Sequence, residues 1–224
     1  MATITGTQFN DNDTWNAGQF RPSLHGTFND DDIVGLAGND KLYGYGNDDE
    51  LYGGKGWDDL YGGWGDDELY GGEGRDNLYG QGGHDELYGG KGNDDLYGGQ
   101  GDDELYGGRG NDYHHGGLGA DDHSGGRGAD TFDYNYAGES NSWSTDTIND
   151  FSGAGHPWSP GEGDKIDLSD IDANVNWWAG GDQGFNPGQL SYADGVLTAD
   201  IHGTWNDVEI EICGDFNVAT DVIV

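Results

Sequence analysis

From Gly26 to Asp133 the chain is written in units of nine residues without insertion or deletion, and this period constrains the fold more than any other feature. Twelve units run from GTFNDDDIV through GGKGWDDLY and GGQGDDELY to GGRGADTFD. The sixth place is Asp in every unit: Asp31, Asp40, Asp49, Asp58, Asp67, Asp76, Asp85, Asp94, Asp103, Asp112, Asp121 and Asp130. The eighth place runs Ile33, Leu42, Leu51, Leu60, Leu69, Leu78, Leu87, Leu96, Leu105, His114, His123, Phe132. A short fixed period marks a solenoid, in which each unit buries its apolar residue only against its neighbours.

Each unit reads as a six-residue turn, GGxGxD, followed by a three-residue strand. The fourth place is Gly, or Asn at Asn29 and Asn47, where a left-handed backbone fits. Strand alternation points the seventh and ninth residues outward and the eighth inward. One Leu per nine residues makes no ordinary core. Two facing half-coils can still stack those leucines into a thin dry slab, with parallel strands about 4.8 Å apart. The expected fold is all-β: a right-handed parallel β-roll with two units, eighteen residues, per coil. A C-terminal antiparallel β region caps it. The expected segments are a lead-in over 1–25, the roll over 26–133 and the cap over 134–224. Within the lead-in, GTQFNDND at 6–13 echoes GTFNDDD at 26–32.

Stacking brings the Asp of unit i beside that of unit i+2, while the glycine-rich backbone leaves carbonyl oxygens able to point into the same gap. Carboxylates mixed with carbonyls suit Ca²⁺, whereas Zn²⁺ favours Cys and His. The twelve aspartates are therefore the candidate metal ligands, with at most ten i/i+2 pairs. Residues 26–133 carry 26 Asp and Glu against 6 Lys and Arg. Without divalent cations the segment should repel itself open, so binding and folding become one event.

The formal charge of −36 excludes a nucleic-acid partner, because holding a phosphate backbone needs Lys and Arg. Cys213 is the single cysteine, so no internal disulfide forms. No apolar run is long enough to span a membrane, and the start, MATITGTQFNDNDTWN, lacks the basic and apolar regions of a Sec-type signal. After Asp133 the composition changes. Five of the eight Trp lie there, with alternating stretches GVLTADI at 195–201 and DVEIEI at 207–212 that read as antiparallel strands.

The repeats resemble the RTX (repeats-in-toxin, hemolysin-type calcium-binding) nonapeptide GGxGxDxUx. That resemblance implies a parallel β-roll with Ca²⁺ between adjacent turns, held by the twelve Asp. The tail is similar to the C-terminal module of serralysin-type secreted metalloproteases, through GADTFDY at 128–134, TDTINDF at 145–151, GDKIDLSDIDA at 163–173 and DFNVATDVIV at 215–224. It departs from that family in the Gly- and Pro-rich insert SGAGHPWSPGEGD at 152–164. The chain contains neither the H-E-x-x-H of the protease domain nor the G-x-S-x-G of repeat-bearing lipases, so a non-enzyme is expected. The family further implies a secreted, extracellular protein exported by a type I secretion exporter that reads a C-terminal signal, here DVIV at 221–224. The chain would stay unfolded in low cytosolic Ca²⁺ and fold outside.

Tyr fills the ninth place in eight consecutive units, from Tyr43 to Tyr106. Two outward ladders of four tyrosines should result, either bracing the sheets or offering a face to a polysaccharide or cell surface. The alternative function is accordingly adhesion or polysaccharide binding, through these ladders or the Trp-rich cap (Trp143, Trp158, Trp177, Trp178, Trp205). The insert carrying His156 and Trp158 is a further place to look for specific function. His114 and His123 take inward places with His115 beside them. They read as hydrogen-bonded histidines at the loosening end of the roll, or else as a transition-metal site.

Overall fold

Strands from successive nonapeptides alternate between two sheets, because half a coil is one unit long. A computed structural model describes residues 2–7, 14–16, 19–21, 23–135, 139–140, 144–152, 163–169, 190–199, 208–215 and 221–223. One sheet stacks, in spatial order, Thr3–Thr5, Asp32–Ala37, Glu50–Lys55, Glu68–Glu73, Glu86–Lys91, Glu104–Arg109, Asp122–Arg127, Asp146–Ser152 and Val208–Asp215. The other stacks Leu24–His25, Lys41–Gly46, Asp59–Trp64, Asn77–Gly82, Asp95–Gln100, Tyr113–Leu118, Thr131–Asp133, Lys165–Asp167 and Val222–Ile223. All these neighbours pair in parallel with one coil between them, as in Leu60↔Leu78↔Leu96 and Leu69↔Leu87↔Leu105. The expected eighteen-residue coil and the parallel β-roll are thus observed.

The eighth-place column is the core. Ile33 and the eight leucines from Leu42 to Leu105 are fully buried and form one continuous cluster between the sheets. Each such side chain contributes about 1.5–3 kcal/mol relative to exposure, yet it serves nine ordered residues. The outward ninth place compensates. Tyr52, Tyr70, Tyr88 and Tyr106 stack with centroids 4.8–4.9 Å apart on one sheet, and Tyr43, Tyr61, Tyr79 and Tyr97 do so on the other. This spacing is the strand spacing itself, so the ladders follow directly from the in-register pairing.

The strands are longer than the sequence pattern suggests. Each covers six residues, places seven to nine plus the first three of the next unit, as in Glu86–Lys91. Only places four to six remain as turn. Glycines in the GGxGxD segment lower β propensity, but the ladder continues through them: the fourth-place amide of Gly92 donates to the third-place carbonyl of Arg109 at 2.8 Å. Left-handed angles are then needed in both strand and turn, with φ of +105° at Gly90 in the strand and +145° at Gly92 in the turn.

The parallel stack does not stop at Asp133. Four further strands extend it, and Ile148, Ile166, Leu168, Ile210 and Ile212 join Phe132, Tyr134 and Phe151 in a second core cluster. Among the described residues after Asp133, antiparallel pairing joins Leu190–Ala193 to Val196–Ala199 and Val196–Ala199 to Val208–Asp215. At the other end Thr3–Thr5 and Leu24–His25 start the two sheets, and a small hairpin joins Thr14–Asn16 to Gln19–Arg21.

Glycine is required at some places and not at others. A Cβ on Gly92 would fall 1.3 Å from the Gly74 carbonyl oxygen, besides the strain of its positive φ. A Cβ on Gly82, at a third place, would meet only the Trp64 ring at 3.4 Å. Gly92→Ala should therefore cost well over the 1–2 kcal/mol of a left-handed non-glycine residue. Gly82→Ala should lie within about 1 kcal/mol of the parent. Denaturant unfolding of the two variants at saturating Ca²⁺ measures the difference.

Candidate metal centre

The sixth-place aspartates form two ladders, one along each edge of the roll. The amide of each donates to Oδ1 of the Asp one coil further on. Asp49 N–H reaches Asp67, Asp67 reaches Asp85 and Asp85 reaches Asp103, each at 2.8 Å. On the other edge Asp58 reaches Asp76, Asp76 reaches Asp94 and Asp94 reaches Asp112, each at 2.9 Å. All twelve predicted aspartates, from Asp31 to Asp130, are buried at these rungs.

One oxygen of each carboxylate is thereby used and the other is not. Oδ2 of Asp49, Asp58, Asp67, Asp76, Asp85, Asp94, Asp103, Asp112, Asp121 and Asp130 is buried without a hydrogen-bond partner. A buried anionic oxygen with no donor is strongly unfavourable. The cost appears in the proton affinity of the protein alone. Burial, reinforced by nearby carboxylates, pushes Asp49 and Asp94 up to about 6 and Asp76 and Asp103 up to about 8. The first-place glycine opens the space for this oxygen. A Cβ on Gly89 would lie 2.8 Å from both Asp94 Oδ2 and the Gly107 carbonyl oxygen. A side chain there would fill the cradle in which carboxylate and carbonyl oxygens converge. Oxygen-only donors and an orphaned buried carboxylate in every interior rung fit Ca²⁺.

The ends of the ladders are built differently. Asp31 accepts Ala2 N–H at Oδ1 (2.6 Å), and its Oδ2 accepts both Thr27 N–H and the Thr27 hydroxyl (2.6 and 2.8 Å). Burial would raise its pKa, but these donors hold it below the usual value. At the far end two residues absent from the nonapeptide pattern extend the ladders. Asp146 Oδ1 accepts from Asp121 N–H and Asp164 Oδ1 from Asp130 N–H, each at 3.0 Å. Asp164 Oδ2 accepts Ser152 N–H at 2.7 Å. The sequence signal for both is Asp followed two residues later by an inward aliphatic, D-T-I and D-K-I, matching D-D-L within the repeats.

The three histidines separate. His114 and His123 are fully buried in the eighth-place column, with ring centroids 5.8 Å apart, and neither ring has a hydrogen-bond partner. The expectation that they are hydrogen-bonded fails: Phe132 packs against both rings, and no polar group comes within hydrogen-bonding distance of any ring nitrogen. Burial holds both neutral, His123 down to about 3. His115, at an outward ninth place of the same strand as His114, instead lies on the outer face of that sheet beside Asp133 and Glu139. The three do not form one site. Trp143, Trp158, Trp177, Trp178, Trp205 and His156 lie outside the described residues, as does most of the 152–164 insert.

The two tyrosine ladders also differ. Tyr52, Tyr70, Tyr88 and Tyr106 donate their hydroxyls to Glu50, Glu68, Glu86 and Glu104 at 2.6–2.9 Å. The ladder from Tyr43 to Tyr97 has no such acidic column. It borders an open groove of about 310 Å³ lined by Phe28, Tyr45 and Trp64, of which Phe28 and Trp64 are 79% and 72% exposed.

None of the curated proteins compared with the chain matches it. The family model described as the RTX calcium-binding nonapeptide repeat (four copies) matches residues 25–60, 61–96, 79–113, 89–122 and 97–132. Those matches span the rungs from Asp31 to Asp130, and the chain is a member of the RTX family built around a calcium-binding β-roll.

Proposed function

We propose that the ten interior aspartates, Asp49 to Asp130, hold Ca²⁺ between the coils and that this binding folds the roll. The observation that carries the reading is their set of buried, partnerless Oδ2 atoms. Asp31 and Asp164 support it by contrast, since protein donors satisfy both oxygens of each. Asp40 begins the second ladder through its amide bond to Asp58. Bound Ca²⁺ supplies positive charge to each gap; the residues supply oxygen and a fixed register. RTX repeat proteins are generally secreted, and export by a type I exporter before Ca²⁺ is met fits a chain whose fold depends on the ion. Asp221 and the Val222–Ile223 strand, in the segment that resembles an export signal, occupy the edge of one sheet. Its neighbour in that sheet is Lys165–Asp167, a strand that follows the roll. No catalytic role is assigned to the chain.

Circular dichroism during a Ca²⁺ titration tests the coupling. The β signal should be weak in EGTA, rise cooperatively at roughly 10⁻⁴–10⁻³ M Ca²⁺ and reverse on chelation. Full β structure in EGTA would overturn the proposal.

Protons should partly replace the ion. The ladder carboxyls titrate higher folded than unfolded, so the folded state binds more protons between about pH 4 and 7. Their contribution is complete below the unfolded value and is lost as pH rises through 6 to 8. His114 and His123, held neutral by burial, act the opposite way below about pH 6.5, but two histidines face ten carboxylates. In EGTA the β signal should therefore be greater at pH 5 than at pH 7.5. In Ca²⁺ the folding midpoint should move to higher Ca²⁺ as pH falls.

A second reading has one observation in its favour. The Tyr43–Tyr97 ladder, free of the glutamate clasp, continues into exposed Phe28, Tyr45 and Trp64 and offers a flat aromatic face. The acidic chain suits a neutral polysaccharide better than an anionic one. Replacing Tyr61, Tyr79 and Tyr97 with Ser should abolish retention on an insoluble neutral glycan, and replacing Tyr70 and Tyr88 with Ser should not. Equal retention of the two variants would remove this reading.

A further inference from the structure

We propose that Asp121, His123 and Asp146 form a site for one divalent transition ion, which takes the place of Ca²⁺ at Asp121 and is distinct in donor chemistry from the oxygen-only rungs below it. All three side chains are buried to within 1%, and one ligand atom from each lies within 4.8 Å of the other two. His123 is the decisive member. It occupies an eighth place, where eight other units carry Leu, yet neither ring nitrogen has a hydrogen-bond partner. A neutral imidazole carries one donor and one acceptor, so leaving both dry in the core costs what Leu would not. Asp121 Oδ2 beside it is equally without a partner.

The donor set decides the class of ion. Ca²⁺ takes oxygen ligands and has no use for an imidazole. One imidazole nitrogen with two carboxylates matches Zn²⁺ and its neighbours, bound at about 2.0–2.2 Å. The position is also singular within the fold. Asp146 comes 25 residues after Asp121 instead of eighteen, and its own coil-to-coil neighbour is Ile210. This is the last rung of its edge. The amide of Asp146 is held by the Ser140 hydroxyl at 2.8 Å, and Ser140 is itself fully buried. Tyr134, 2% exposed, packs edge-on against the His123 ring with centroids 6.4 Å apart. His114 stands apart, on the opposite sheet beneath Phe132.

The test uses the whole chain, stripped with EDTA, refolded in saturating Ca²⁺ and titrated with Zn²⁺ at pH 7.5 by calorimetry. One equivalent should bind in the presence of excess Ca²⁺, and Co²⁺ in its place should give visible d–d absorption. His123→Leu should weaken that equivalent roughly 100-fold or more, beyond the usual effect of a supporting residue. It should still fold on Ca²⁺, because it restores the residue found at the equivalent place in neighbouring coils. Asp146→Asn, which keeps the side-chain size, should weaken Zn²⁺ as well. Absence of a Zn²⁺ equivalent in the parent would overturn the site, as would retention of it within threefold in His123→Leu. Because Ca²⁺-driven folding is followed separately by circular dichroism, failure here leaves the calcium reading standing, and the reverse also holds.

Discussion

The structure depends on one contact repeated at every coil: the amide of a turn Asp donating to the carboxylate of the Asp stacked upon it. This bond sets the coil spacing and fixes the register of both edges. It also turns the second carboxylate oxygen into an enclosed gap with no protein donor. A polar group buried without a partner normally marks a defect. Ten of them at equivalent places are a design that something else must complete. The contrast lies within the same molecule, because Thr27 supplies donors to Asp31 and the Ser152 amide supplies one to Asp164. The chain can satisfy such a carboxylate with its own groups, and in the interior of the roll it does not.

That rung dictates the composition around it. The carboxylate occupies the volume where a first-place side chain would stand, so Gly is needed there. Close approach of successive carbonyls also excludes a Cβ at the glycine fourth places, Asn29 and Asn47 near the start of the stack being the exceptions. With these places surrendered, only the eighth remains to build a core. The tyrosine stacks supply cross-strand contact that the glycines cannot. The low apolar content and large negative charge, which elsewhere would signal disorder, are the consequence of committing most positions to closely stacked glycine and aspartate turns.

Much of this was legible in the sequence because the pattern is local and repeated. The aspartate column, the inward leucines, the tyrosine ladders and the eighteen-residue coil all follow from phase alone. What escaped was whatever phase does not carry. The strands run six residues because hydrogen bonding persists through glycines of poor β propensity. Asp146 and Asp164 were missed as rungs because insertions stretch their spacing to 25 and 34 residues, although D-x-I still marks them. Grouping His115 with His114 and His123 neglected the alternation that sends a ninth-place residue outward. The absence of donors around His114 and His123 is a property of three-dimensional packing, and no single-sequence pattern reports it.

The histidines mark where one mode of stabilisation gives way to another. Below them the core is a single file of leucines flanked by unsatisfied carboxylates. Above them Phe132, Tyr134, Phe151, Leu197, Val208 and Ile210 converge in a cluster of ordinary character. The column that carried Asp at each coil ends, on one edge, in Ile210. Beyond that step burial of apolar surface, which needs no ion, replaces the rung. A continuous parallel sheet therefore joins a part built on carboxylate rungs to one built on apolar contacts, and the pair of buried imidazoles sits on the boundary. Polar groups at that boundary interrupt the leucine file, separating the two clusters while leaving the sheets intact. The C-terminal strands thereby give the last repeats an edge to pair with that is held by apolar contacts in place of carboxylate rungs.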